Sequence, residues 1–202
     1  DQILATEDER GEAGRMSAIA FIIRLVSAVI AFVSQVLLAR WMGSFEYGIF
    51  VLVWTTMVIA GNVSCLGFHT TVIRFIPEYR ERGMFAELRG VMAASRLLVL
   101  VAASAIAVVG ALGVGLLSDR LESYYVVPFV LGFVCLPMIA LSDLLQGVSR
   151  AYAWAVFALS PTYLVRPVMI LVFMALALAF GYPADARTAL MAAILATWVT
   201  TV

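Results

Sequence analysis

Long apolar runs separated by short charged stretches make up most of the chain. The runs are rich in Ala and Leu and lack the period-two alternation of a strand that is polar on one face. A helix needs about 20 mostly apolar residues to cross a bilayer. Six runs answer to this, at about residues 16–39, 47–73, 90–117, 124–148, 154–180 and 186–202. Their connections are short except for residues 74–89, where Ile76, Tyr79, Met84, Phe85 and Leu88 are interleaved with charges. That pattern suits either an amphipathic helix on the membrane surface or a solvated loop. The prediction is an all-α, polytopic membrane bundle of about six transmembrane helices, preceded by an acidic tail at residues 1–15.

Composition strengthens this prediction. Hydrophobic residues form 64% of the chain and charged residues 13%, against roughly 45–50% and 25% in soluble domains. The mean hydropathy is +1.04. The formal net charge is zero, so nothing in it favours nucleic acid as a partner. All 13 basic residues are arginine, and their placement sets an orientation. With the N-terminus cytoplasmic, Arg10, Arg15, Arg74, Arg80, Arg82, Arg89 and Arg150 lie inside, and Arg40, Arg120 and Arg187 lie outside. The expected orientation is therefore N-terminus in, on the cytoplasmic side of the membrane. Aromatic residues such as Trp41, Tyr47, Tyr124, Trp154 and Tyr182 fall near the ends of the runs, as an interfacial belt would. The chain opens on Glu7-Asp8-Glu9 rather than a basic segment, so no cleavable signal is expected. It starts at Asp1 and stops within the sixth run, which reads as a fragment of something longer.

Three arginines interrupt the apolar runs: Arg24, Arg96 and Arg166. They lie in the first, third and fifth runs, which all point the same way. At 1.5 Å per residue they sit roughly 8–18 Å from the cytoplasmic end. A charge within the bilayer is costly and usually faces protein or a water-filled cavity. A cationic cavity for an anionic ligand is one explanation, and snorkelling of a long side chain to the interface is the other. In the first run Arg24, Ser27, Ala31, Ser34 and Gln35 share a helical face, which suits a cavity lining or a polar helix contact. Asn62 in the second run has the same two readings. Asp143, with Gln146 and Arg150 at one-turn intervals, suits either a coupling site for a proton or cation or a counter-charge to an arginine. His69 and the two cysteines, Cys65 and Cys135, read as structural. Pro137, Pro161 and Pro167 predict bends in the fourth and fifth helices.

No metalloprotease, serine-hydrolase, nucleotide-binding or CxxC pattern is present. The expectation is a protein that is not an enzyme and carries neither cofactor nor metal.

Three segments carry a family resemblance: SQVLLARWMGSFEYGIF at 34–50, CLGFHTTVIRFIPEYRERG at 65–83 and FAELRG at 85–90. They contain Ala39-Arg40, Gly43, Tyr47-Gly48, Leu66-Gly67, Arg74-Phe75 and Glu78-Tyr79, with a further echo in LVRPVMI at 164–170. The chain resembles the oligosaccharide flippases of polysaccharide biosynthesis, within the MATE-like multidrug/oligosaccharidyl-lipid/polysaccharide exporter superfamily. The resemblance implies a two-lobed transporter with a cavity between the lobes, of which this chain is the N-terminal lobe at 16–202. It also implies a lipid-linked oligosaccharide on a polyprenyl pyrophosphate carrier as the substrate. Arg24, Arg96 and Arg166 would then be cationic cavity residues, and Ser27, Ser34, Gln35 and Asn62 polar lining. A polysaccharide polymerase or glycosyltransferase would be a partner in the membrane. Two other functions fit less of the sequence: a cation-coupled multidrug exporter of the same fold, and a non-transporting scaffold subunit.

Overall fold

The computed structural model describes residues 2–118, 122–152 and 154–201, and gives the backbone alone for residues 2–17, 19, 20, 155 and 157. Arg120, assigned above to an outer loop, lies outside the described residues, as do the side chains of the acidic tail. Among the described residues there are helices and turns and no strand.

The first helix, α1 (Gln2–Ser64), is broken at Gly43, whose φ of 77° and ψ of 168° belong to a region essentially restricted to glycine. The chain folds back there. The Tyr47 hydroxyl donates to Gln35 Oε1, whereas 12 residues of unbroken helix would separate them by about 18 Å. The two arms of α1 are thus the first two membrane helices. Gly48, by contrast, is an ordinary helical residue. Glu46, beside the turn, accepts a hydrogen bond from the Ala186 backbone N–H at 2.9 Å and so pins the start of α7 (Ala186–Thr201) to the hairpin tip. Asp185 caps the same helix through Thr188 N–H at 2.8 Å. Glu46→Ala is expected to cost roughly 1–2 kcal/mol, the worth of a hydrogen bond to a charged acceptor at a helix start. Thermal unfolding in detergent measures it, with Glu46→Gln retaining part of the effect.

The second arm ends earlier than the hydropathy pattern predicts. Leu66 and Gly67 adopt left-handed φ values of 48° and 79° after Ser64, and the chain restarts as α2 (Phe68–Glu81). This helix is amphipathic: Val72 and Ile76 are buried, while Arg74, Arg80 and Glu81 are exposed. Residues 74–89 therefore split between α2, a turn at Gly83 (φ 69°) and the first turn of α3 (Phe85–Leu116). They form neither one surface helix nor one loop.

Helix α4 (Ser123–Ala151) is the centre of the bundle and packs against α1, α2, α3 and α7. It continues as one helix through Pro128 and Pro137. Around its first half, Val53, Met57, Leu136, Ile139, Met174 and Leu190 form one apolar cluster. Around its other half, Cys65, Val72, Ile76, Val99 and Leu144 form a second. Cys65 and Cys135 are both buried and free, and Cys65 Sγ donates to Ala140 O at 3.3 Å.

The fifth membrane helix is composite: α5 (Ala155–Ser160), a π-helical segment (Pro161–Val165) and α6 (Arg166–Ala179). The Arg166 N–H reaches back five residues to Pro161 O. The irregularity begins at the first of the two prolines, where the missing donor loosens the helix ladder.

Among the described residues four stretches are long and apolar enough to cross a membrane: Phe21–Ser64, Phe85–Leu116, Ser123–Ala151 and Ala158–Ala179. The first is the hairpin of α1 and holds two crossings, and α7 completes the six-helix pattern with 16 residues. Apolar side chains such as Phe21, Phe32, Val109, Leu116 and Phe180 point outward. In water so much exposed apolar surface would drive association; in lipid it is matched to its solvent.

Candidate functional site

The two arms of α1, the end of α4 and the π-helical segment enclose a cavity of about 410 Å³, within the range of small-ligand sites. One end, toward the turn at Gly43, is apolar and lined by Leu38, Phe50, Ile139 and Ile170. The rest is polar. The first arm contributes Ser34 and Gln35, and the second contributes Trp54 and Asn62. His69 comes from α2, Asp143, Gln146 and Arg150 from α4, and Thr162, Tyr163 and Arg166 from the fifth helix.

Arg166 is 5% exposed. Its Nη2 donates to Ser142 Oγ at 2.6 Å, and its Nε has no hydrogen-bond partner. Three other buried polar atoms among the described residues share that condition: Ser34 Oγ, His69 Nδ1 and Gln146 Nε2. All four residues line this one cavity. A buried polar atom without a partner costs about 1–3 kcal/mol, so their convergence marks a space that water or a polar ligand fills. Arg150 donates to Gln146 Oε1 at 2.8 Å. Asp143 lines the wall without an ion pair within 4 Å among the described residues. Two arginines against one carboxylate leave the cavity net cationic.

Local sequence explains much of this placement. Gly147 lets α4 approach the start of α2 so closely that an added Cβ would lie 2.3 Å from His69 O. That approach brings His69 onto the wall, although in the sequence it stands alone. A glycine inside an otherwise regular helix was the only signal of it. Trp54 and Tyr163 also line the cavity and were not singled out as site residues, because an aromatic in an apolar run is indistinguishable from core.

The sequence-derived candidates divide into three groups. Arg166, Ser34, Gln35, Asn62 and Asp143 share the cavity. Arg24 and Ser27 line a neighbouring recess of about 230 Å³ with Ile23 and Leu159. Tyr163 borders both spaces. Within the recess Ser27 Oγ donates to Arg24 O at 2.8 Å, and the Arg24 side chain is exposed. Arg96 lines neither space. Helix α3 turns Ser95, Val99 and Ala103 into the protein, which leaves Arg96 on its exposed face.

A family model described as polysaccharide biosynthesis protein matches residues 14–202, covering all of the helices that build the site. Comparison with curated proteins gives no match, and comparison with solved structures gives none. The match spans nearly the whole chain and agrees with the helical membrane architecture, so this multi-pass membrane protein belongs to the polysaccharide biosynthesis protein family, a family of flippase type.

Proposed function

We propose that the chain moves a lipid-linked oligosaccharide, carried on a polyprenyl pyrophosphate, from the cytoplasmic to the outer leaflet of the cell inner membrane. One observation carries the reading: a buried arginine with a partnerless Nε in a cavity that gathers the other orphaned polar atoms. A guanidinium offers paired donors to phosphate oxygens, and each of those bonds is charge-assisted. In this reading Arg166 holds the pyrophosphate. Arg24, across Tyr163, is a second cationic contact nearer the cytoplasmic entrance. Asp143 serves as counter-charge or as the coupling group. The protein acts by alternating access, with this chain as the N-terminal lobe of a two-lobed transporter and no bond made or broken. A polymerase or glycosyltransferase would receive or supply the glycan. A multidrug exporter for cationic compounds fits less well, because the charges lining the cavity repel such a ligand.

Complementation tests the proposal. In cells lacking the endogenous gene, the full-length protein should restore surface polysaccharide, and Arg96→Ala should restore it equally. Arg24→Ala and Arg166→Ala should fail while reaching the membrane at normal levels. Normal polysaccharide from both of these variants would exclude the cationic-cavity mechanism.

A further inference from the structure

Arg166 accounts for an anionic head group but leaves the aromatic and amide lining of the cavity unexplained. Phe50, Trp54, Val58 and Asn62 repeat at i, i+4, i+8 and i+12 on the second arm of α1, and all four line the cavity. The Trp54 indole stacks on Phe50 with ring centroids 6.2 Å apart and 13° between planes. Phe50 is 2% exposed, whereas Trp54 is half-buried. Phe50 thus braces the indole against the core cluster, and Trp54 lies on the cavity wall.

The polar groups nearby are amides with unused capacity. Gln35 Oε1 is occupied by the Tyr47 hydroxyl, which leaves its amino group to donate into the cavity. Gln146 Oε1 is occupied by Arg150, and its Nε2 is buried with no partner. Asn62 is exposed and lies two turns along from Trp54. Aromatic surface beside amide donors and acceptors matches a pyranose. The C–H face of the sugar lies on the indole, and its edge hydroxyls, which both donate and accept, meet the amides. A purely apolar ligand would cover the amides and leave them unsatisfied.

We infer that Trp54 is the stacking platform of a saccharide subsite beside Arg166, with Gln35, Asn62 and Gln146 as hydroxyl partners. The subsite rests on the reading that Arg166 holds the pyrophosphate, and it selects the first sugar attached to it. Specificity would then reside in the lobe described here rather than in the lipid tail.

The test measures binding of two probes to the full-length protein in nanodiscs: a polyprenyl diphosphate, and the same lipid bearing one hexose. An aromatic contact is worth about 0.5–1.5 kcal/mol, so the wild type should prefer the glycosylated lipid by about two- to tenfold. Trp54→Phe should keep most of that preference. Trp54→Ala, and Trp54→Leu as an apolar but non-aromatic control on folding, should reduce the ratio to near one. An unchanged ratio in both of these variants, or no preference in the wild type, overturns the subsite. Failure of the wild type to bind even the bare lipid contradicts the pyrophosphate reading itself, and the subsite falls with it.

Discussion

Arg166→Ala is expected to lower affinity for a polyprenyl diphosphate by at least about 30-fold and to stop transport, while the protein still folds. The first half follows from burial. Arg166 is 5% exposed, so the anion it meets is largely stripped of water. Removing one partner of a buried, hydrogen-bonded charge pair costs about 2–5 kcal/mol, which sets the 30-fold lower limit. The second half follows from its neighbours. Arg166 makes one side-chain hydrogen bond, to Ser142, and leaves Nε unpaired. Its truncation removes a charge that the fold strains to bury as well as a bond. Melting temperature should change little or rise. Arg166→Lys keeps the charge but loses the planar fork, and should fall between the two. Equilibrium binding and thermal unfolding on the same samples separate the effects. A variant that melts far lower and binds normally would make Arg166 a structural residue.

Gly147→Ala is expected to show the reverse pattern, a large loss of stability with function failing only as a consequence. The added Cβ would lie 2.3 Å from His69 O and 3.0 Å from its carbonyl carbon. The obstruction is backbone at the start of α2, so no rotamer change relieves it. Helix α2 would have to move away from α4, opening the cluster that holds Cys65, Val72, Ile76 and Leu144. Overpacking of this kind costs about 1–3 kcal/mol, with a rigid neighbour at the upper end. Gly110→Ala provides the contrast. Its Cβ would meet the Phe133 ring, also at 2.3 Å, but the atoms involved are the far end of a side chain that can swing. Gly110→Ala should be clearly milder than Gly147→Ala in thermal unfolding. Equal effects would mean that α2 gives way freely.

The sequence made the membrane helices legible because their signal is additive over about 20 residues. The hairpin tip was legible too, since Gly43 and Tyr47 fall in a recognisable turn pattern. The end of the second helix was not. Phe68, Val72 and Ile73 extend the apolar run, but Leu66 and Gly67 leave the helical region and hand the chain to a separate amphipathic helix. Hydropathy averages across such a break. The fifth helix shows the same limit in finer form. Its two prolines signalled irregularity, but the π-helical geometry before Arg166 depends on which carbonyl each N–H reaches.

For the site, polar residues within apolar runs were the productive signal. Ser34, Gln35, Asn62, Asp143 and Arg166 do meet in one cavity. Arginine alone was a poorer guide. Arg96 interrupts an apolar run as Arg166 does, yet the helical phase of α3 turns it outward. Phase relative to neighbouring helices is a property of packing, so convergence could not be read from spacing. His69 and Trp54 were illegible as site residues for the same reason: each needs a second helix before its role is visible.

The proposed mechanism requires the space beside Arg166 to be a hydrated cavity open to an anion. Single cysteines at Asn62 and Thr162, in a full-length protein whose native cysteines are replaced, test it most directly. Val109, 70% exposed on α3, and Val99, fully buried, serve as controls. A membrane-impermeant thiol reagent added from the cytoplasmic side should label positions 62 and 162, spare both controls, and be slowed at position 162 by pyrophosphate. If positions 62 and 162 stay unlabelled while a loop cysteine at Gly83 reacts, the cavity is closed to water and the account is wrong.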